Sequence, residues 1–396
     1  MYTFCIHILF FVKKNQLISD PSIFVNLNHT VTIPWLYCYN LNIFLWQIKV
    51  DNMKNLIFTA IVAILTVSFI SCESSGKLSG SGATFPAPFY NVVFKKYTEA
   101  SGNAVTYGGI GSGGGIRSLK DKTVDFGATD VFLSDNELKE MGADVVHIPT
   151  AMGAVVLSYN LPNVKDLKLT AGLISEIYRG VIINWNDPKI KEINPDLNFP
   201  DKAITPVYRS DGSGTTAVFS EYMSKVDDAW KNEIGSGKSL SFKVGVAAKG
   251  NPGVAGNISE TEGSIGYIGS EYALALNIPS ALLQNSSGNF IVANDKSISA
   301  SADIDMPDDT RVIITNSSNP DAYPISTFTW IILYKEQSYN NRTEEQAKSL
   351  VGLLNYVVGK DGQEIAVRTH YAPLSDKALE KTNKIIKSIT FNGNPI

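Results

Sequence analysis

The stretch that decides the fold is Val207-Tyr208-Arg209-Ser210-Asp211-Gly212-Ser213-Gly214-Thr215-Thr216-Ala217-Val218-Phe219. A largely apolar run, Ile204 to Tyr208, reads as a strand, and Thr215 to Trp230 carries Val218, Phe219, Tyr222, Met223, Val226 and Trp230 at helical spacing. A tight polar turn separates them, so Ser213, Gly214 and Thr215 fall at the N-cap and first turn of the helix. There the backbone N–H groups lack carbonyl partners and the helix dipole is positive, which suits an anion. Arg209 stands where the strand enters the turn and can offer forked donors to the same oxygens, with Asp211 close enough to orient it. An ordinary N-cap beside a surface arginine is the competing reading of this stretch alone.

Upstream the same pattern recurs. The strand Lys77 to Ser79 runs into Gly80-Ser81-Gly82-Ala83-Thr84-Phe85-Pro86-Ala87-Pro88, and the two prolines suit the first turn of a helix that carries Phe89, Val92, Val93 and Tyr97 and ends at Gly102. Strand Ala104 to Tyr107 leads into Gly108 to Gly115, which contains Ser112, with a helix bearing Ile116 and Leu119 behind it. Val124 to Asp130 reads as a strand ending in a carboxylate, followed by a helix from Ser134 to Met141. Two further strands, Val145 to Pro149 and Ala154 to Tyr159, precede a helix from Thr170 to Arg179 and a strand-to-turn segment from Val181 to Pro188. After the opening stretch, Phe242 to Ala247 and Ser264 to Ile268 are strand-like, with Gly250 to Gly256 as a Gly-rich linker between them. Residues 284–322 are polar and loop-like, Thr327 to Tyr334 is β-prone, and Glu344 to Val358 and Ser375 to Ile389 are amphipathic helices. Strands alternating with helices imply a mainly parallel α/β sheet whose ligands bind at the carboxyl ends of the strands. Thr84, Ser112, Asp130 and Arg209 all fall there.

The chain of 396 residues is long enough for two domains with sizeable cores, but its first 71 residues read as something other than the fold. Residues 1–52 sustain no helical or strand period and stop just before Met53. From Met53 the pattern is that of an export signal at 53–71: Lys54, an apolar run from Leu56 to Ile70, then Ser71-Cys72. That run is short for a membrane span. The small residue before Cys72 resembles a bacterial lipoprotein cleavage site, which would make Cys72 the lipidated N-terminus and place the protein outside the cytoplasm on a membrane anchor; an uncleaved anchor helix is the alternative. Cys5 and Cys38 lie upstream, so Cys72 would have no disulfide partner. Residues 1–71 hold four lysines and two aspartates. Without them 30 basic and 36 acidic residues remain, a net charge of −6. Such a chain lacks the electrostatic footprint of a nucleic-acid binder. It must hold an anion by local dipoles and hydrogen bonds.

Other chemistries find little support. Gly109-Ile110-Gly111-Ser112-Gly113-Gly114 fits the dinucleotide fingerprint, with Asp130 about 20 residues on, yet that reading leaves the Arg209 to Thr215 turn without a task. Gly235-Ser236-Gly237-Lys238-Ser239 resembles half a P-loop, but position 232 is Asn. His147 and His370 lie far apart and outside any cluster at metal spacing, so neither a metal site nor a Ser–His pair is signalled and no cofactor is called for. Both histidines, and Trp185, Trp230 and Trp330, read as structural.

The chain resembles the phosphate-binding proteins of bacterial phosphate ABC transporters (PstS), which are type II periplasmic binding proteins, over roughly Lys77 to Lys387. The resemblance rests on Gly80 to Pro88, Gly109 to Gly115, Val124 to Asp130, Asn184 to Pro188, Arg209 to Thr215, Gly263 to Ile268 and Tyr323 to Thr327 in one order. It implies two α/β lobes joined by two crossing segments and closing like a clamp, with lobe one formed by 77–151 and 326–396 and lobe two by 152–325. It also implies that Thr84, Phe85, Ser112 and Asp130 meet phosphate from one lobe and Arg209, Ser213, Gly214 and Thr215 from the other. Gly113 departs from the family, which often has a second Ser there. The implied role is a monomeric, non-enzymatic carrier that delivers inorganic phosphate to an ABC permease; a binder of sulfate or molybdate, or an exported phosphatase, is the alternative. A carboxylate facing an anion repels it unless the anion carries a proton, so Asp130 is expected to separate phosphate from sulfate.

Overall fold

The computed structural model describes residues 77–396. Residues 1–52, the signal read at 53–71 and Cys72 lie outside the described residues. The described residues begin with three strand–helix units: β1 (Leu78–Gly82) and α1 (Ala87–Ser101), β2 (Val105–Gly109) and α2 (Ser112–Lys120), β3 (Phe126–Thr129) and α3 (Asp135–Met141). The long β4 (Val145–Tyr159) follows, then β5 (Lys168–Leu169), α4 (Ala171–Tyr178), α5 (Pro188–Ile193), β6 (Thr205–Arg209), α6 (Gly214–Val226) and α7 (Asp228–Glu233). Next come β7 (Val246–Ala248), α8 (Gly250–Glu260), β8 (Ser264–Gly269), α9 (Ser270–Ala275), β9 (Leu282–Gln284), β10 (Phe290–Ile291) and α10 (Asp295–Ala300). The chain closes with β11 (Ser326–Tyr334), α11 (Glu344–Val358), α12 (Lys360–Arg368), α13 (Asp376–Lys387), β12 (Thr390–Phe391) and β13 (Asn394–Pro395).

Eight strands form one sheet in the order β2-β1-β3-β11-β4-β8-β6-β7. Its wings are parallel, β1 with β2 and β3, and β6 with β7 and β8. The centre is antiparallel, because β11 runs against β3 and β4, and β4 against β8. The expected mainly parallel sheet is therefore mixed. Residues Val145 to Ala154 of β4 pair with β11, whereas Val155 to Tyr159 pair with β8.

Where one strand β4 runs, the sequence suggests two, split at Pro149. The strand tolerates that proline because the register shifts between Thr329 and Trp330 of β11 directly opposite it. At such a bulge a missing N–H leaves no gap in the ladder. Thr150 then turns its hydroxyl to the Thr329 carbonyl (3.1 Å) and bonds the Tyr90 hydroxyl (2.9 Å). Other expectations change as well. The helix expected from Thr215 to Trp230 ends at Val226, and Asp227 caps a separate helix by accepting from the Trp230 N–H at 2.6 Å. Val181 to Asp187 is irregular, with a single bridge from Asn184 to Ala203, and Pro188 opens α5. The supposed linker Gly250 to Gly256 is the first half of α8, and Lys360 to Arg368 adds a helix that the sequence did not suggest.

Each wing buries aromatic side chains against its sheet. On the first wing α1 buries Phe89, Tyr90, Val93, Phe94 and Tyr97, while Val92 is exposed. On the second, Phe219 stacks on Tyr267 with ring centroids 4.4 Å apart, and Trp230 meets Phe219 edge-on at 5.3 Å. Burial of each such ring contributes roughly 1.5–3 kcal/mol, which holds β6 and α6 rigid on either side of the Arg209 to Gly214 turn. Trp185, Trp230 and Trp330 are all buried, as expected of core residues. His147 is buried and its Nε2 accepts the Leu133 N–H at 3.1 Å, while burial pushes its pKa down to about 4, so the ring is neutral near pH 7.

Candidate functional site

The carboxyl ends of β1, β2, β3 and β6 converge, and the turns that follow them face one another. From the first wing, Thr84 and Phe85 lie between β1 and α1, both buried. Their carbonyls are taken by tyrosines, Thr84 by the Tyr272 hydroxyl at 2.5 Å and Phe85 by the Tyr371 hydroxyl at 2.6 Å. The Phe85 ring packs edge-on against Tyr371, so the Phe85 side chain holds the turn and only its backbone can serve a ligand. Ser112 opens α2 and is fully buried.

From the second wing, Arg209 ends β6 with its side chain buried. Its Nε and Nη2 donate to the two oxygens of Asp211 at 2.8 and 2.6 Å, and its Nη1 donates to the Thr215 hydroxyl at 3.3 Å. A guanidinium has five N–H donors; these bonds use three. Ser213 caps α6 by accepting the Thr216 N–H at 3.0 Å. The turns touch across the cleft: Gly214 N–H donates to the Ser112 hydroxyl at 3.1 Å and Gly113 N–H to the Gly212 carbonyl at 2.9 Å. Position 214 requires glycine, since a Cβ there would lie 2.5 Å from Ser112 Oγ and 2.6 Å from Asp130 Oδ2.

Two aspartates flank these donors with opposite electrostatics. Burial pushes Asp130 up to about 7, only partly offset by the Thr329 hydroxyl, which donates to Oδ1 at 2.8 Å, and by the charge of Arg209. Its other oxygen, Oδ2, is buried and has no hydrogen-bond partner. For Asp211 burial also acts upward, but the Arg209 fork and the Gly250 N–H at 3.0 Å outweigh it and hold the group below the usual carboxylate range. Behind Thr84 and Phe85, the Glu271 carboxyl is buried beside Tyr371 with neither oxygen bonded, and burial raises its pKa well above the usual range. Among the described residues no group of three His, Cys, Asp or Glu could hold a metal ion.

A converging set of donors around one unpartnered acceptor suits an oxyanion that carries a proton. The comparisons with known proteins bear on which one. Residues 70–361 match the model of the PBP superfamily domain. The phosphate-binding protein PstS of Xylella fastidiosa is 38% identical over 312 residues, covering 78% of this chain and 84% of that protein. The chain belongs to the PstS family of phosphate-binding proteins. Its Haemophilus influenzae relative, also a phosphate-binding protein PstS, is 35% identical over 316 residues, 78% of this chain and 92% of that one. Among solved structures, a high-affinity periplasmic phosphate-binding protein (PfluDING) bound with phosphate aligns with a TM-score of 0.64 at 20% identity, over 78% of this chain and 93% of that chain. A phosphate-binding protein from Stenotrophomonas maltophilia aligns with a TM-score of 0.59 at 19% identity, over 78% and 93%. At such identities these structures speak for the two-lobe fold alone.

The structure thus brings Thr84, Phe85, Ser112, Asp130, Arg209, Asp211, Ser213, Gly214 and Thr215 into one cluster. At Gly113 a Cβ would stand 3.3 Å from the Gly212 Cα, a close but not prohibitive approach. Sequence reasoning missed Thr329, which bonds Asp130, and Gly250 and Asn251 at the start of α8. Asn251 is fully buried and bonds both Thr84 and Thr215. The signal was present, since Ala247-Ala248 ends a strand and Pro252 stands in the first turn behind it. The run of glycines obscured it.

Proposed function

We propose that this protein captures inorganic phosphate in the cleft between its lobes and delivers it to an ABC permease for import. The observation that carries the reading is the unpartnered, buried Oδ2 of Asp130 among converging N–H and O–H donors. Such a pocket is complementary to an anion that accepts several hydrogen bonds and donates one, which phosphate does at neutral pH and sulfate does not. Thr84, Phe85, Ser112 and Asp130 contact phosphate from the lobe formed by 77–151 and 326–396, and Arg209, Ser213, Gly214 and Thr215 from the lobe formed by 152–325, with Asp211 orienting Arg209. The change of partner along β4 after Ala154 supports that division. Each charge-assisted hydrogen bond contributes on the order of 1.5–3 kcal/mol, and micromolar binding needs only about 8 kcal/mol net.

The protein acts by binding, without turnover and as a single copy, outside the cytoplasmic membrane. Cys72, outside the described residues, is the lipidated residue that tethers it; Cys72→Ala should release it from the membrane fraction or block processing. Calorimetry on phosphate-stripped protein starting at residue 73 tests the central reading. Saturable binding of phosphate, with no hydrolysis of a phosphate ester, is expected. Tight binding of sulfate instead, or turnover, overturns it.

A further inference from the structure

Asn251 ties together three parts of the cleft, and its chemistry is fixed by partners that can act in one direction only. Its Oδ1 accepts the Gly269 N–H at 3.1 Å, a backbone group that can only donate, so the side-chain amide is settled with Nδ2 on the opposite side. Nδ2 donates to the hydroxyls of Thr84 and Thr215, both at 3.1 Å, and the Asn251 backbone N–H donates to Thr84 Oγ1 at 3.0 Å. A threonine hydroxyl has two lone pairs and one hydrogen. At Thr84 both lone pairs are filled by Asn251. At Thr215 one is filled by Asn251 and the other by Arg209 Nη1 at 3.3 Å. The hydrogen of each hydroxyl then has no acceptor among the described residues. The residue is fully buried, so water does not compete for these bonds.

We propose that Asn251 is a positioning residue for the anion. By occupying the acceptor side of Thr84 and Thr215 it obliges both hydroxyls to present hydrogens to a bound phosphate, one from each lobe. An uncharged donor pair whose direction is set in advance costs no reorientation when the ligand arrives, which is how preorganised donors gain strength over water. Because Asn251 belongs to α8 and Thr84 to the opposite lobe, the same bonds also hold the lobes together. The inference rests on the phosphate reading above.

The test measures phosphate affinity and dissociation rate for wild type, Asn251→Ala and Asn251→Asp, and for Asn251→Ala combined with Thr84→Val and Thr215→Val. Asn251→Ala is expected to weaken binding at least tenfold, mostly through faster dissociation. Asn251→Asp keeps the shape but can only accept; it would draw both hydroxyl hydrogens to itself, and a loss of at least a hundredfold is expected. In the background lacking both hydroxyls, Asn251→Ala should cost less than threefold, because there is nothing left to orient. A merely structural asparagine would lower the melting temperature and cost the same in both backgrounds, which overturns the proposal, as does Asn251→Ala within threefold of wild type. If Asn251→Ala does not fold, the isosteric Asn251→Asp decides alone, and unchanged affinity overturns the proposal. Failure of wild type to bind phosphate would instead overturn the functional reading, and this inference with it.

Discussion

Asp130 and Asp211 stand at the same cleft and behave in opposite ways. Asp211 is ringed by donors, two from Arg209 and one from Gly250, and stays ionised. Asp130 has one hydroxyl on Oδ1 and nothing on Oδ2, and its ionised form is disfavoured by burial. The difference shows how an acidic protein can hold an anion. In the proposed function one carboxylate neutralises the cation that would otherwise make the site indiscriminately attractive, and the other keeps its acceptor for a ligand that brings a proton. Arg209 lies between them in effect, paired with the first and facing the second.

Removing Arg209 should break the comparison most severely. Arg209→Ala removes the guanidinium and leaves the half-buried Asp211 carboxylate near the anion without its partner, so phosphate affinity should fall by several kcal/mol. A change of less than about threefold in a calorimetric titration, under ~0.7 kcal/mol, would place the site elsewhere.

Next in size is the pH dependence of the ligand-free protein. Burial raises the Asp130 pKa from 3.8 to about 7 in the folded, ligand-free protein, so the group is a neutral acid below that pH and becomes the bare acceptor of the selectivity argument above it. The folded chain therefore binds one more proton than the unfolded chain between those values. This stability is fully present below about pH 4 and is lost as pH rises towards 7, by up to about 4 kcal/mol at roughly 1.36 kcal/mol per unit. His147, pushed down to about 4, acts in the opposite sense over part of that range. The difference between wild type and Asp130→Asn in urea unfolding isolates the aspartate. It should shift in favour of the variant as pH climbs from 4 to 7; a difference that stays flat would mean that Asp130 is ionised in the folded protein.

With ligand present, Asp130→Asn exchanges an acceptor for a group that can also donate. Sulfate then no longer faces a desolvated acceptor. The ratio of phosphate to sulfate affinity should narrow by at least tenfold, about 1.4 kcal/mol. Competition titrations with both anions check this, and an unchanged ratio would remove Asp130 from the selectivity argument.

The parts of this design differ in how readily the sequence displays them. Arg209 to Thr215 was legible because a strand, a polar turn and a helix N-cap each leave a local mark, and the same holds for Thr84, Ser112 and Asp130. Elements whose form depends on distant partners were not. Pro149 looks like a strand break until the register shift between Thr329 and Trp330 is set opposite it, and Gly250 to Gly256 looks like a linker until Gly250 is needed to bond Asp211 with φ at 69°. Thr329 and Asn251 act on Asp130 and Thr84 from 199 and 167 residues away, separations over which no periodicity can be read.

The smallest effect expected, and the one that sharpens the contrast most, is that of Asp211→Asn. Two consequences oppose each other. Loss of the negative charge leaves the buried Arg209 guanidinium uncompensated, which strengthens its attraction for a multiply charged anion. The amide that replaces the carboxylate turns at least one donor towards Arg209, so one of the bonds at 2.8 and 2.6 Å becomes a donor facing a donor and the fork loosens. The side chain of Asp211 is 12% exposed, so solvent can take up part of the unpaired N–H and keep that cost small. Affinity for phosphate should consequently change by less than about threefold, under ~0.7 kcal/mol. The association rate should rise and become more sensitive to salt, because the cleft now presents a net positive charge to an approaching anion. Stopped-flow association at several ionic strengths, set beside the equilibrium affinity, separates the two. A loss comparable to that of Arg209→Ala would show that Asp211 holds the guanidinium in place above all, and that neutralisation is incidental.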